Sequence, residues 1–165
     1  YYPEGNTHTA WRWKNYVFVG DEHFPVGWDM DRPIAARGFI HVIDVTDIEN
    51  PVEVAKYEVP EAGAHNIWIA DDVLYIGYYQ GGIRVVDVSG ELRGDLYAQG
   101  REIAHYLPSA GPEASKRPFS PRVWGVFPMF ENGWTTQGET LFATDYNSGL
   151  WTFTVEMPEE ERPIS

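Results

Sequence analysis

Apolar residues in this chain fall in short runs rather than at helical intervals. Three runs stand out: YVFVGDE at 16–22, VLYIGYY at 73–79 and TLFATDY at 140–146. Each is rich in β-branched and aromatic residues and is apolar on both faces at its centre, as expected of a strand inside a sheet. A tryptophan-bearing run precedes each one. A glycine-led run follows: GFIHVIDV from Gly38, GIRVVDV from Gly82 and GLWTFTV from Gly149. After two of these comes an outer segment ending in proline, at Pro60 and Pro108. No segment sustains a capped 3.6-residue apolar period, so the pattern predicts almost no helix.

The runs repeat in register. THTAW from Thr7 and AHNIW from Ala64 place a histidine three residues before Trp11 and Trp68. Aligning Trp124 with them gives SPRVW, with Pro121 where the histidine stands in the other two copies. The repeat units cover roughly 7–60, 64–108 and 120–157, with a Pro/Ser/Gly-rich linker at 109–119 and an acidic tail at 158–165. Polar turns, Lys14-Asn15 and Asp71-Asp72, join first to second strands. Longer loops follow the second strand of the first unit and the first strand of the third, lengths typical of contact or functional loops.

A unit of about four antiparallel strands cannot bury both faces alone, whereas stacking such units radially buries them. The expected fold is all-β: a β-propeller with about three blades present. A propeller closes with roughly four to eight blades, so the chain reads as part of a larger, six- to eight-bladed ring or as one closed through another chain. Two packed sheets forming a sandwich are the alternative. The chain opens on Tyr1-Tyr2-Pro3 without Met, which reads as a processed product or a piece of a longer protein.

Composition narrows the partners. Acidic residues outnumber basic ones 25 to 12, a net charge of −13. Nucleic acid and anionic lipid both call for a basic face, so neither is an expected ligand. Cysteine is absent, which excludes a disulfide framework and thiolate chemistry. No apolar run approaches the roughly 18 residues of a membrane span.

The segments IHVIDVTDIENPVEVAKYEVP from Ile40 and AHNIWIADDVLYIGYYQGGIRVVDVS from Ala64, with PRVWGVFP and TDYNSGLWTF, resemble the LVIVD-repeat β-propeller proteins of bacteria and archaea. The resemblance implies the propeller fold. It also implies an exported, periplasmic or cell-surface location, and assigns no activity.

Four residues suggest a metal centre. His8 and His65 hold equivalent places at the start of first strands, which line the channel of a propeller. Imidazole is a common transition-metal ligand. His23 and Glu22 are further candidates for the set. The competing reading is structural, with each histidine bonding the backbone of an adjacent blade. Asp44 and Asp87 read as caps of the turns that follow them. Asp21, Glu22, Asp29, Asp31 and Asp145 suggest a calcium site or a solvated acidic rim. The loops supply Phe24, Trp28, Met30, Arg32 and Trp134, the residue types of interface anchors, with Tyr78 and Tyr79 expected beside them.

Phosphate-binding and hydrolase motifs are absent from the sequence. The leading functional expectation is a non-enzymatic binding or scaffold module without cofactor. It presents aromatic loops to a protein partner, within an exported or membrane-associated assembly. The alternative is a metal-dependent, oxidoreductase-like enzyme with a histidine-ligated ion in the channel.

Overall fold

The computed structural model describes residues 6–23, 36–60, 62–108, 121–128 and 140–155. The candidates Phe24, Trp28, Met30, Arg32, Trp134, Asp29 and Asp31, the linker at 109–119 and the tail at 158–165 lie outside them. Among the described residues the chain is all-β, with twelve strands in three sheets and no helix.

The first sheet carries β1 (Thr7–Trp13), β2 (Tyr16–Asp21), β3 (Ile40–Asp44) and β4 (Val52–Tyr57) in an antiparallel meander. The second carries β5 (Ile67–Ala70), β6 (Val73–Gly77), β7 (Ile83–Asp87) and β9 (Glu102–Tyr106). The third carries β10 (Val123–Pro128), β11 (Thr140–Asp145) and β12 (Gly149–Thr154). Among the described residues a sheet of four antiparallel strands is seen in the second sheet, while the third has three. The first gains a fifth strand, β8 (Gly94–Asp95), running parallel to β4 through Ala55↔Gly94 and Lys56↔Asp95. Those residues belong to the second repeat unit. They cover the outer edge of the first sheet, and Leu92 and Leu96 anchor them in its core.

Turn chemistry follows the sequence. Lys14, Asp71 and Asp72 all have positive φ, as tight hairpin turns demand. Asp44 accepts the Thr46 N–H at 2.8 Å and Asp87 the Ser89 N–H at 2.8 Å, which is the expected turn-capping role.

The sheets pack face to face in chain order. Phe18, Ile40 and Val42 of the first meet Ile67, Leu74, Ile76 and Val86 of the second in one core. Tyr75, Ile83 and Val85 of the second meet Val126, Leu141 and Ala143 of the third in another. The pairing registers fix which positions correspond. Val19, Ile76 and Ala143 are equivalent, and their partners on the first strands are Ala10, Ile67 and Val126. Counting from there, Trp11 and Trp68 match Phe127, and His8 and His65 match Trp124. The sequence alignment on Trp124 is therefore three residues out. Trp124 takes the histidine position, not the tryptophan position. Two ring columns cross the sheets accordingly. Trp11, Trp68 and Phe127 form one, with centroids 4.6 and 4.8 Å apart. His8, His65 and Trp124 form the other, at 4.0 and 5.8 Å.

Candidate metal centre

His8 lies where β1 bulges, since Thr7 pairs Asp21 while Thr9 already pairs Gly20. A bulge re-aims the extra side chain. The same irregularity recurs at Trp124, between Val123 and Gly125. His65 is held at the corresponding point of the second sheet by its N–H to the Gly77 carbonyl at 2.8 Å. Glu22 follows β2 directly and is fixed by its N–H to the Asn6 carbonyl at 2.8 Å. These constraints bring one ligand atom each from His8, Glu22 and His65 within 4.8 Å of one another.

Hydrogen bonds outside the cluster orient both rings. His65 Nδ1 lies 2.9 Å from the Trp124 carbonyl oxygen, an acceptor only, so the proton sits on Nδ1. His65 Nε2 then faces Glu22 Oε1 at 3.6 Å with its lone pair. His8 Nε2 lies 3.2 Å from Asn66 Oδ1, and His8 Nδ1 lies 3.0 Å from Glu22 Oε2. With Nε2 donating to Asn66, two acceptor atoms meet at that 3.0 Å contact and require a proton or a cation between them. Burial pushes the His65 ring below its ordinary range, and the positive field of His8 adds to this, against the bond to Trp124 and the charge of Glu22. A ring held neutral is ligand-competent. The Tyr79 hydroxyl donates to Glu22 Oε1. Burial, together with that bond, raises the Tyr79 phenol well above its usual range.

The structural reading of the histidines is thus realised for His65, which bonds the backbone of the next sheet. It coexists with the cluster, because that bond uses the nitrogen turned away from Glu22. His23 is not a member. Its backbone pairs with Arg37 in an isolated bridge, and its side chain is exposed. Tyr78 and Tyr79 do not form a contact surface, because both are buried, at 0% and 4% exposure. The Tyr78 hydroxyl donates to the Gly38 carbonyl at 3.1 Å. Nor do the acidic residues gather as a calcium site among the described residues. Asp145 accepts the N–H groups of Asn147 and Ser148 in its own turn and that of Arg122 just before β10. Asp21 faces His41.

That last contact belongs to a buried group the sequence reading missed. His41 Nε2 is 3.1 Å from Asp21 Oδ2, and His41 Nδ1 is 2.8 Å from Glu53 Oε1. Burial lowers His41 to about 4 and raises the Asp21 carboxyl, so desolvation favours the uncharged form of each. The register places Arg84 at the position of His41 in the second sheet. Arg84 Nη1 donates to Glu102 Oε2 at 2.9 Å, and the Tyr57 hydroxyl donates to the same oxygen. A histidine or arginine centred in an apolar third strand was the available signal, since such a residue is buried only with a partner. At the far end of β1 from His8, a cleft of about 370 Å³ lies among Trp11, Trp13 and Trp68.

Comparison of this chain with family models, with curated proteins and with solved structures found no match.

Proposed function

We propose that this chain is a propeller-type repeat module that holds one divalent first-row transition-metal ion through His8, His65 and Glu22. The observation that carries the reading is the outward anchoring of both imidazoles, His65 to the Trp124 carbonyl and His8 to Asn66. This leaves the opposite nitrogen of each ring toward one carboxylate. Outer hydrogen bonds that fix the tautomer and aim of a ligating histidine are the usual second layer of a metal site. Two imidazoles and a carboxylate suit zinc, copper, iron or nickel and leave coordination positions for water or a small ligand. Such an ion would supply Lewis-acid or redox chemistry at the mouth of the site.

The radial arrangement of blades is supported by the two ring columns, by the face-to-face order of the sheets and by the recurrence of the strand pattern along the sequence. None of the three sheets closes on itself. Partner binding is the second reading. The feature favouring it is the exposed apolar surface of the third sheet, where Trp124, Phe127, Tyr146 and Leu150 are 42, 45, 52 and 70% accessible.

The test is titration of metal-stripped protein with Zn²⁺, Cu²⁺ and Ni²⁺ by calorimetry, with the summed emission of the seven tryptophans as a second readout. One equivalent binds to the wild type, and His65→Ala and Glu22→Gln each lose it. Absence of stoichiometric binding, or undiminished binding in both variants, would refute the centre.

A further inference from the structure

The cleft of about 370 Å³ beside Trp11, Trp13 and Trp68 takes no part in the metal centre, which lies toward the opposite end of β1. Its walls come from the first and second sheets. The register shows why it is there. Counting along the first strands from Ala10 and Ile67, Trp11 corresponds to Trp68 and Trp13 to Ala70. Trp11 and Trp68 meet ring to ring, with centroids 4.6 Å apart. Two residues further on, the second sheet has a methyl group where the first has an indole. The ring column therefore has no counterpart beside it, and a ring-sized space is left. The volume stands at the lower end of the roughly 300–1,000 Å³ of small-molecule sites.

The walls are fixed before any ligand arrives. The Trp13 Nε1–H donates to Asp72 Oδ1 at 2.7 Å, and Lys14 Nζ donates to Asp72 Oδ2 at 2.7 Å. Both bonds cross from the first sheet to the turn between β5 and β6. Lys14 also stands over the Trp13 ring, 5.9 Å from its centroid. The polar edge of this indole is thus satisfied and its orientation set, which spares a ligand the cost of ordering it.

Arg12 and Asp71 also line the cleft, and both are exposed. Arginine can only donate and a carboxylate only accept. Neither side chain has a hydrogen-bond or ion-pair partner among the described residues. Their charges cancel, as do those of Lys14 and Asp72, so the lining selects neither an anion nor a cation. A wholly apolar ring would fill the space, but it would take water from both groups and return no bond. A ring with an apolar face and hydroxyl groups at its edge meets both demands. Its C–H groups lie on indole, while its hydroxyls donate to a carboxylate and accept from a guanidinium. A pyranose has that chemistry.

We infer that the cleft among Trp11, Trp13 and Trp68 binds a neutral pyranose sugar. The inference is independent of metal binding.

The test is calorimetric titration of the 165-residue chain in the presence of a chelator. The probes are glucose, galactose, mannose, N-acetylglucosamine, maltotriose and cellotriose, with choline and phenol as a cationic and an aromatic comparison. At least one sugar binds, one per chain, with a Kd below about 10 mM and more tightly than choline or phenol. Asp71→Gly keeps the turn, since glycine accepts the positive φ of that position. It weakens sugar binding about tenfold by removing a charged acceptor. Trp13→Ala abolishes binding, with circular dichroism to confirm its fold. Failure of all six sugars to bind overturns the proposal. So does sugar binding that Asp71→Gly leaves unchanged, or that a folded Trp13→Ala retains in full. Preference for choline would mark a cation site and preference for phenol a purely apolar one, and either overturns it.

Discussion

Tyr79, in the turn between β6 and β7, donates its hydroxyl to Glu22, which follows the second strand of the first sheet. Phenol and carboxylate thus tie two sheets together at the same atom that His65 Nε2 faces. Tyr79→Phe keeps the ring, which stands edge-on to His65 with centroids 5.2 Å apart, and removes only the bond. Metal affinity in this variant falls about 10- to 100-fold, the usual effect of losing a group that orients a ligand. Calorimetric titration checks this, with thermal unfolding as the control.

At Gly77 the second sheet lies directly against the backbone of the third. A Cβ there would lie 2.6 Å from the Trp124 carbonyl oxygen and 2.9 Å from its carbon, both backbone atoms. The same oxygen receives the His65 Nδ1 proton. Gly77→Ala therefore costs about 1–3 kcal/mol of stability by overpacking. It also loosens the anchor of His65, so metal affinity falls together with the melting temperature. Denaturant unfolding and a metal titration of the same preparation measure both.

Glu102 receives Arg84 and Tyr57 on one oxygen and His105 Nδ1 on the other at 2.7 Å. Burial alone would raise its carboxyl, but these bonds outweigh burial and hold it below the ordinary 4.5. The unfolded chain then takes up the proton more readily. The stabilisation is complete above about pH 4.5 and is lost as the pH falls through the folded-state value. Glu102→Gln leaves the buried Arg84 without its counter-charge. It costs about 3–5 kcal/mol at neutral pH and flattens the acid limb of the stability curve. Melting temperatures between pH 3 and 8 distinguish the two profiles.

Leu96 is fully buried in the core shared by the first two sheets, although it belongs to the segment between β7 and β9. Leu96→Ala costs about 2–5 kcal/mol and exposes the outer edge of β4. Chemical denaturation measures the first effect, and hydrogen exchange at Lys56, whose backbone faces the β8 side, the second.

The strands centred on Phe18, Tyr75 and Phe142 were legible because β-branched and aromatic residues crowd positions that must be apolar on both sides. The turn roles of Asp44 and Asp87 were legible because an Asx bond is local. The third register was not. Indole is attractive as a landmark, yet Trp124 sits on a bulge where the other copies have histidine. The segment between Pro128 and Thr140 removes the short turn that would have fixed the count. Proximity of His8, His65 and Glu22 was foreseeable from their repeat positions. The part of Tyr79 was not, because its side chain reaches Glu22 across to the first sheet and nothing in its own turn signals that. Arg84 and Glu102 escaped notice for the same reason: their pairing crosses strands with a long insertion between them.

The parallel rung between β4 and β8 makes consecutive units interlock. A cut after Pro60 would strip the first sheet of its edge and of Leu92 and Leu96, so the border between the first two copies leaves the first sheet unfinished, whereas a cut after Pro108 leaves the rung whole. Duplication or loss of a unit during evolution would have to carry this strap along with the strands it fastens. Dissection of the protein into single units is accordingly expected to give insoluble fragments, whereas a piece running through Tyr106 retains both the clasp and the sheet it closes.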